Sequence, residues 1–369
     1  MNRPGAPSDH HMVSPSLRFL AVVTALFLAG QAGPAAEPAA LMPRLGMPGR
    51  PHLGPLPPLA DRDRTLAREL EADVTMLARE IGERHAGPFH AANLAKAERF
   101  IHRSLTAAGL AADRQAYEVR GVTVANLFAE VTGRPAPGPV PREIVVIGAH
   151  YDSAEGTPGA NDNASGVAAT LALARAFAAA KPVRTLRFVF FTNEEPPWFQ
   201  TDDMGSVRYA RRCRARAEPI AAMLSLETIG YFSDAPGSQR FDSFPPLRWL
   251  YPDAGNFIAF VGNVGSGPLV ARAVGTFRAT TPFPAYGCAI PGAIEGVGWS
   301  DHWAFWQSGY PAAMVTDTAA FRYPHYHTAE DTPDKLDFGR IARVVRGLER
   351  VVADLADGSG GEEPPAEGD

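Results

Sequence analysis

The chain has 369 residues, 46% of them hydrophobic, so it can bury a large core, either as one big domain or as two small ones. Its formal net charge is −5 and it has no basic run, which leaves nucleic acid without an electrostatic footprint to bind. Cys213 and Cys288 sit in no CxxC or Cys/His spacing, which argues against a thiolate metal site and leaves their pairing open.

Arg18 precedes an apolar run from Phe19 to Gly30, and small residues follow it. The run is short for a membrane span and suits a secretory segment, so residues 1–36 read as a signal peptide cleaved near Ala36. The protein is then expected to be secreted or periplasmic, without stable membrane association. An uncleaved N-terminal membrane anchor is the competing reading. Residues 37–61 are dense in Pro, Gly and Ala and read as an extended, poorly ordered linker. Residues 62–357 carry the regular patterns, and 358–369 form an acidic Gly/Pro tail that cannot build a core.

Helical apolar spacing occurs over residues 64–81 and 94–109, with Gly109 as the stop. Residues 122–131 and 143–150 read as strands. An Ala-rich helix over 164–180 ends at Pro182, and 185–193 is a fully apolar strand. Further strands are expected at 220–227, 257–262 and 311–317, with helices at 267–277 and 338–356. Continuous apolar strands alternating with helices predict an α/β fold, with a largely parallel sheet covered on both faces. The Pro- and aromatic-rich stretch from Ser233 to Asn256 fits no element and reads as an excursion over one end of that sheet.

In open α/β sheets, ligands gather beyond the carboxyl ends of the strands. Here one strand ends at His150, the next runs into Glu194 and Glu195, and a third ends at Glu227. The late strand is followed a loop later by His327, and Asp162 lies in "GANDNASG" before the Ala-rich helix. Each residue has a bland reading: a hydrogen-bonded histidine, a solvated Glu pair, an Asn/Asp helix cap. The recurrence of imidazole and carboxylate at successive strand ends outweighs those readings. His325 reads as a rim residue and His302 as packing.

Imidazole and carboxylate suit zinc. Asp162, Glu195 and Glu227 would bring three negative charges together, which two divalent cations offset better than one. Ions so placed lower the pKa of bound water, and a hydrolase then needs one carboxylate outside the ligand set to carry the proton. Adjacent residues on extended chain point in different directions, so one of Glu194 and Glu195 can bind metal while its neighbour faces the water.

The motifs "AHYDS", "GANDNASG", "NEE", "LETIGY" and "YHTAEDT", in this order over about 66–355, resemble those of the dizinc aminopeptidase family, metallopeptidase family 28. Glutamate carboxypeptidase and glutaminyl cyclase are relatives. The resemblance implies a three-layer α/β/α zinc peptidase fold around a largely parallel mixed sheet, and two zinc ions per chain. Carried over by motif, His150 and Glu227 hold one zinc, Glu195 and His327 the other, and Asp162 bridges them. Glu194 becomes the general base, Asp152 the hydrogen-bond partner of His150, and Tyr326 a group that stabilises the oxyanion. Asp301, in "SDHWAFW", also matches a family motif, with a supporting or substrate-binding role. The implied substrates are peptides or small proteins cut at the N-terminus. Two departures stand out. The segment after the Glu pair, "EEPPWFQTDDMGS", is longer than in typical aminopeptidases, as it is in cyclase relatives. Glu227 stands where many members carry Asp. A glutaminyl-cyclase-like acyltransferase is therefore the alternative enzyme reading, and a binding module that keeps only the fold is the non-enzymatic one.

Overall fold

The structure, a computed structural model, describes residues 47–135, 142–243 and 245–358. The expected signal peptide, the first part of the expected linker and all but the first residue of the expected tail lie outside the described residues.

Eight strands form one sheet: β1 (Ala112–Val119), β2 (Val122–Val131), β3 (Ile144–His150), β4 (Thr185–Phe191), β5 (Ile220–Glu227), β6 (Ile258–Gly262), β7 (Ala285–Ala289) and β8 (Ala312–Thr316). Their order is β1-β2-β4-β3-β5-β8-β6-β7. The centre, β4-β3-β5-β8, is parallel. β1 and β2 join it antiparallel on one side, and β6 reverses direction against β8 on the other. The parallel centre is the one expected from the apolar runs, and the antiparallel flanks make the sheet mixed, as the family resemblance implies.

Alternation along the strands gives each face its own core. Val145 and Ile147 of β3 pack with Leu186, Phe188 and Leu224 beneath α1 (Asp61–Thr75), α2 (Ala91–Ala107), α3 (Gly166–Phe177), α5 (Gly267–Thr280) and α7 (Phe338–Asp357). Ile144 and Val146 face the other way with Val189 and Met223, covered by α4 (Gly205–Ala215) and α6 (His302–Gln307). The result is three layers. Both cysteines are buried and free, so they do not pair.

Three local features differ from the sequence pattern. The helical spacing over 64–81 is realised as α1 followed by one wider turn, Met76–Ile81, which Gly82 ends at φ 79°. The segment 47–60 is extended but held: the Arg278 guanidinium donates to the carbonyls of Met47, Pro48 and Gly49, and Arg343 donates to that of Pro57. The irregular stretch from Ser233 to Asn256 meets the loop beyond the end of β8, where Arg240 donates to the Ala320 carbonyl, and leans on a sheet face as well. Tyr251 meets Tyr286 of β7 edge-on, and its hydroxyl donates to the Gly287 carbonyl at 2.8 Å. No helix among the described residues is long and apolar enough to cross a membrane.

Candidate metal centre

The carboxyl ends of β3, β4, β5 and β8 converge, and the buried strands deliver polar side chains there because each chain leaves the sheet at that edge. β3 ends on His150. Beyond β4, Asn193 adopts φ 57°, a left-handed turn that asparagine tolerates, and aims the next two amides inward. Those amides belong to Glu194 and Glu195. They donate to Asp152 Oδ1 and Oδ2, each at 3.1 Å. Asp152 Oδ1 also lies 3.4 Å from His150 Nδ1, long for a hydrogen bond. Asp152 therefore organises the Glu pair at least as much as it orients the histidine.

Asp162 is the hub. Its Oδ1 lies 3.2 Å from His150 Nε2, and its Oδ2 lies 2.9 Å from His327 Nε2. Glu227 Oε2 approaches His150 Nε2 at 3.2 Å, and Glu195 Oε2 approaches His327 Nε2 at 3.3 Å. Two half-sites thus share one aspartate. Glu194 Oε2 stands further off, 3.9 Å from His150 Nε2. Ligand atoms on one tetrahedral zinc, at bonds of about 2.0–2.1 Å, lie roughly 3.3 Å apart, close to all four of these separations. His150 Nε2, Asp162 Oδ1 and Glu195 Oε1 are buried without any hydrogen-bond partner, as an ion-binding set requires. The donor set fits divalent metal.

The electrostatics agree. Burial pushes Glu195 and Glu227 up to about 7, with Asp162 adding to the rise in both. Burial also leads the rise of Glu194, well above the carboxylate range. For His327, burial opposes the charged form, but Asp162 and Glu195 outweigh it and hold the imidazole up to about 11. Without cations the cluster keeps protons that bound metal would displace. His150 is sealed, whereas the His327 side chain is 34% exposed, so the second half-site opens to solvent.

Tyr326 stacks on His327 with ring centroids 3.9 Å apart. It lines a mostly apolar cleft that also includes Glu227. The floor of the cleft is the sheet face opposite α5: Ala259 and Val261 of β6, Tyr286 and Cys288 of β7, Met314 of β8. Phe241, Leu247 and Tyr251 from the irregular stretch wall one side, and Ile294 and Trp299 the other.

Other residues support the site, and the first of them, Asn163, bears out the helix-cap reading of "GANDNASG". Asn163 Nδ2 donates to the Leu226 carbonyl at 2.8 Å while its Oδ1 accepts from the Gly166 amide, tying α3 to the end of β5. Ser300 donates to Glu227 Oε2 at 2.8 Å. Arg84 is fully buried behind the site, its guanidinium spent on main-chain carbonyls. Asp331 was visible inside "YHTAEDT" but carried no role. Asp301 is fully buried and outside the cleft lining, and burial lifts it to about 7. His302 is a packing residue, hydrogen-bonded to the Val297 carbonyl and edge-on to Trp306, and burial holds it down to about 4.

A second cluster, Glu83, His85 and His90, also has metal-like spacing. The Gly87 amide donates to His85 Nδ1 at 3.0 Å, so in the neutral ring the proton sits on Nε2 and points at Glu83 Oε1, 2.9 Å away. That trio is closed as a hydrogen-bonded turn, not open as a ligand set.

The sequence pattern of peptidase family M28 matches residues 126–352, which span every residue of the hub. The chain is 37% identical to YfbL of Escherichia coli (strain K12) over 288 residues, 76% of this chain and 85% of that one. It is 26% identical to leucine aminopeptidase 1 of Arthroderma otae, covering 63% of this chain and 58% of that one, so it spans little more than half of that relative's length. Its fold is similar to that of BSAP, a zinc aminopeptidase from Bacillus subtilis, with a TM-score of 0.61, 15% identity, and 79% and 97% of the two chains covered. The chain belongs to peptidase family M28 and is a metallopeptidase.

Proposed function

We propose that the protein is an exported dizinc aminopeptidase that removes large apolar residues from the N-termini of peptides. The observation that carries this reading is Asp162, whose two oxygens face two separate His/carboxylate half-sites beside an apolar cleft. His150, Glu227 and Asp162 would hold one zinc, and His327, Glu195 and Asp162 the other. Bound there, the ions would supply an acidified water and polarise the scissile carbonyl.

The protein's own groups do the rest. Asp152 fixes the Glu194–Glu195 main chain, so the Glu194 carboxylate stays beside the half-sites without joining them. Its Oε2 can accept a proton from the attacking water and return it to the leaving amine. Tyr326, held against His327, is the side chain suited to donate to the oxygen of the tetrahedral intermediate. The cleft, mostly apolar although Arg240 and Glu295 also line it, excludes water from an apolar side chain. Export rests on the N-terminal sequence, with 37–61 as linker and 62–357 as the catalytic domain.

The test is turnover of Leu-p-nitroanilide before and after chelation, with N-acetyl-Leu-p-nitroanilide as the blocked control. Chelator-sensitive cleavage of the free amine alone supports the reading, and cleavage of the blocked substrate overturns it. The long segment after the Glu pair favours a second reading, cyclisation of N-terminal glutamine. Release of ammonia and pyroglutamyl peptide without Leu-p-nitroanilide turnover would select that one.

A further inference from the structure

Arg84 and Asp331 grip the same stretch of main chain from opposite sides. From one side the Arg84 guanidinium donates to the carbonyls of Pro158 at 2.6 Å and Gly159 at 2.9 Å, and its Nε donates to that of Tyr151 at 2.7 Å. From the other side the Asp331 carbonyl accepts from the Ala160 amide at 3.1 Å. The Asp331 carboxylate then takes the next two amides, Asn161 at 2.8 Å on Oδ1 and Asp162 at 3.1 Å on Oδ2. Five consecutive residues, 158 to 162, are thereby held by two fully buried residues, four through their side chains and Ala160 through the Asp331 main chain. The fifth is the aspartate shared by both half-sites. Gly159 permits the close path, because a Cβ there would lie 2.4 Å from the Asp162 carbonyl oxygen.

A carboxylate is a costly choice for this task, since it adds negative charge beside Asp162, Glu195 and Glu227. Its advantage is capacity. Three donors converge on it, the two amides and the Tyr323 hydroxyl at 3.0 Å, which a neutral amide side chain cannot all satisfy. Asp331 also lies four residues after His327, and its own amide donates to the Thr328 carbonyl at 3.1 Å. One short loop thus carries a histidine of the second half-site and the brace for the shared aspartate.

We propose that Asp331, with Arg84 as its counterpart across the loop, is the positioning residue that places Asp162 between the two half-sites and so sets metal affinity. The inference rests on the dizinc reading above. Asp331→Asn is isosteric and keeps one acceptor but turns an N–H against a donor. Zinc affinity, measured by chelator competition on the folded full-length protein, should fall about 10–100-fold. KM for a Leu substrate should hold, because Asp331 does not line the cleft, while kcat at limiting zinc falls. Tyr323→Phe leaves the carboxylate and removes one donor, and should weaken zinc less than Asp331→Asn does. Asp331→Asn with wild-type zinc affinity overturns the proposal, whatever its melting temperature. If that variant does not fold, unchanged zinc affinity in Tyr323→Phe overturns it instead. Wild-type protein that binds no zinc would overturn the metal reading itself, a separate failure.

Discussion

Ala259 sits on β6 facing the cleft, between Tyr286 of β7 and Thr316 of β8 in register. Its methyl is part of the cleft floor, so a phenyl group placed there fills open space instead of core. In the wild type, a leucine side chain buries three more carbons in the cleft than alanine does. At about 0.8 kcal/mol per carbon the difference is about 2.4 kcal/mol, or roughly 60-fold in kcat/KM. Leu-p-nitroanilide should therefore exceed Ala-p-nitroanilide by roughly that factor. In Ala259→Phe the space is occupied, so the ratio should collapse towards unity or invert. Ala-p-nitroanilide should keep a rate within about threefold, since β8 separates Ala259 from Glu227 and a truncated side chain needs no room. The assay is kcat/KM for both substrates at saturating zinc, with melting temperature and bound zinc as controls on folding. Equal loss of both substrates in a folded, zinc-replete variant would refute the assignment of this cleft to the N-terminal side chain, as would an unchanged ratio.

The metal-free protein should lose stability as pH rises. Glu195 and Glu227 are raised from 4.5 to about 7, so over that window the folded state holds more protons than the unfolded one and stability declines. His327, raised from 6.5 to about 11, extends the decline upward. Zinc displaces those protons, so the melting-temperature gain on adding zinc should grow between pH 5 and pH 8, and a gain independent of pH would contradict the assignment. Asp152→Asn leaves one of the Glu194 and Glu195 amides without its acceptor. It should cost about 10–100-fold in kcat while folding is retained, and wild-type kcat would remove Asp152 from its organising role.

The legible parts of this chain were those where one residue's local pattern determined its environment. Runs as apolar and short as 188–191 fit sheet interior, and ligands at strand ends follow from where such a sheet leaves its edge open. The elements without a reading are those whose burial depends on distant partners. β1, "ADRQAYEV", is polar on both faces and is a strand only because β2 offers it an edge. α4 carries four arginines around a narrow stripe of Val207, Ala210 and Cys213. β7 is five short residues lying against the last open edge. The site divides in the same way. His150, Asp162, Glu194, Glu195, Glu227 and His327 were visible because their chemistry is unusual at a strand end. The capping half of Asn163 was legible as well. Arg84 and the reach of Asn163 to β5 were not, because a buried arginine on carbonyls and an asparagine bonded to a distant strand have no sequence period. Their partners are 67 and 63 residues away in the chain.

The central claim is that two metal ions occupy the shared-aspartate site and that Glu194 moves the proton without holding them. Elemental analysis of zinc per chain in wild type and Glu194→Gln, with Leu-p-nitroanilide turnover on the same samples, tests both halves together. Two zinc ions in each protein, with turnover lost by at least about a hundredfold in the variant, is the predicted result. Wild-type turnover in Glu194→Gln, or a wild type that is active without bound metal, would contradict the account.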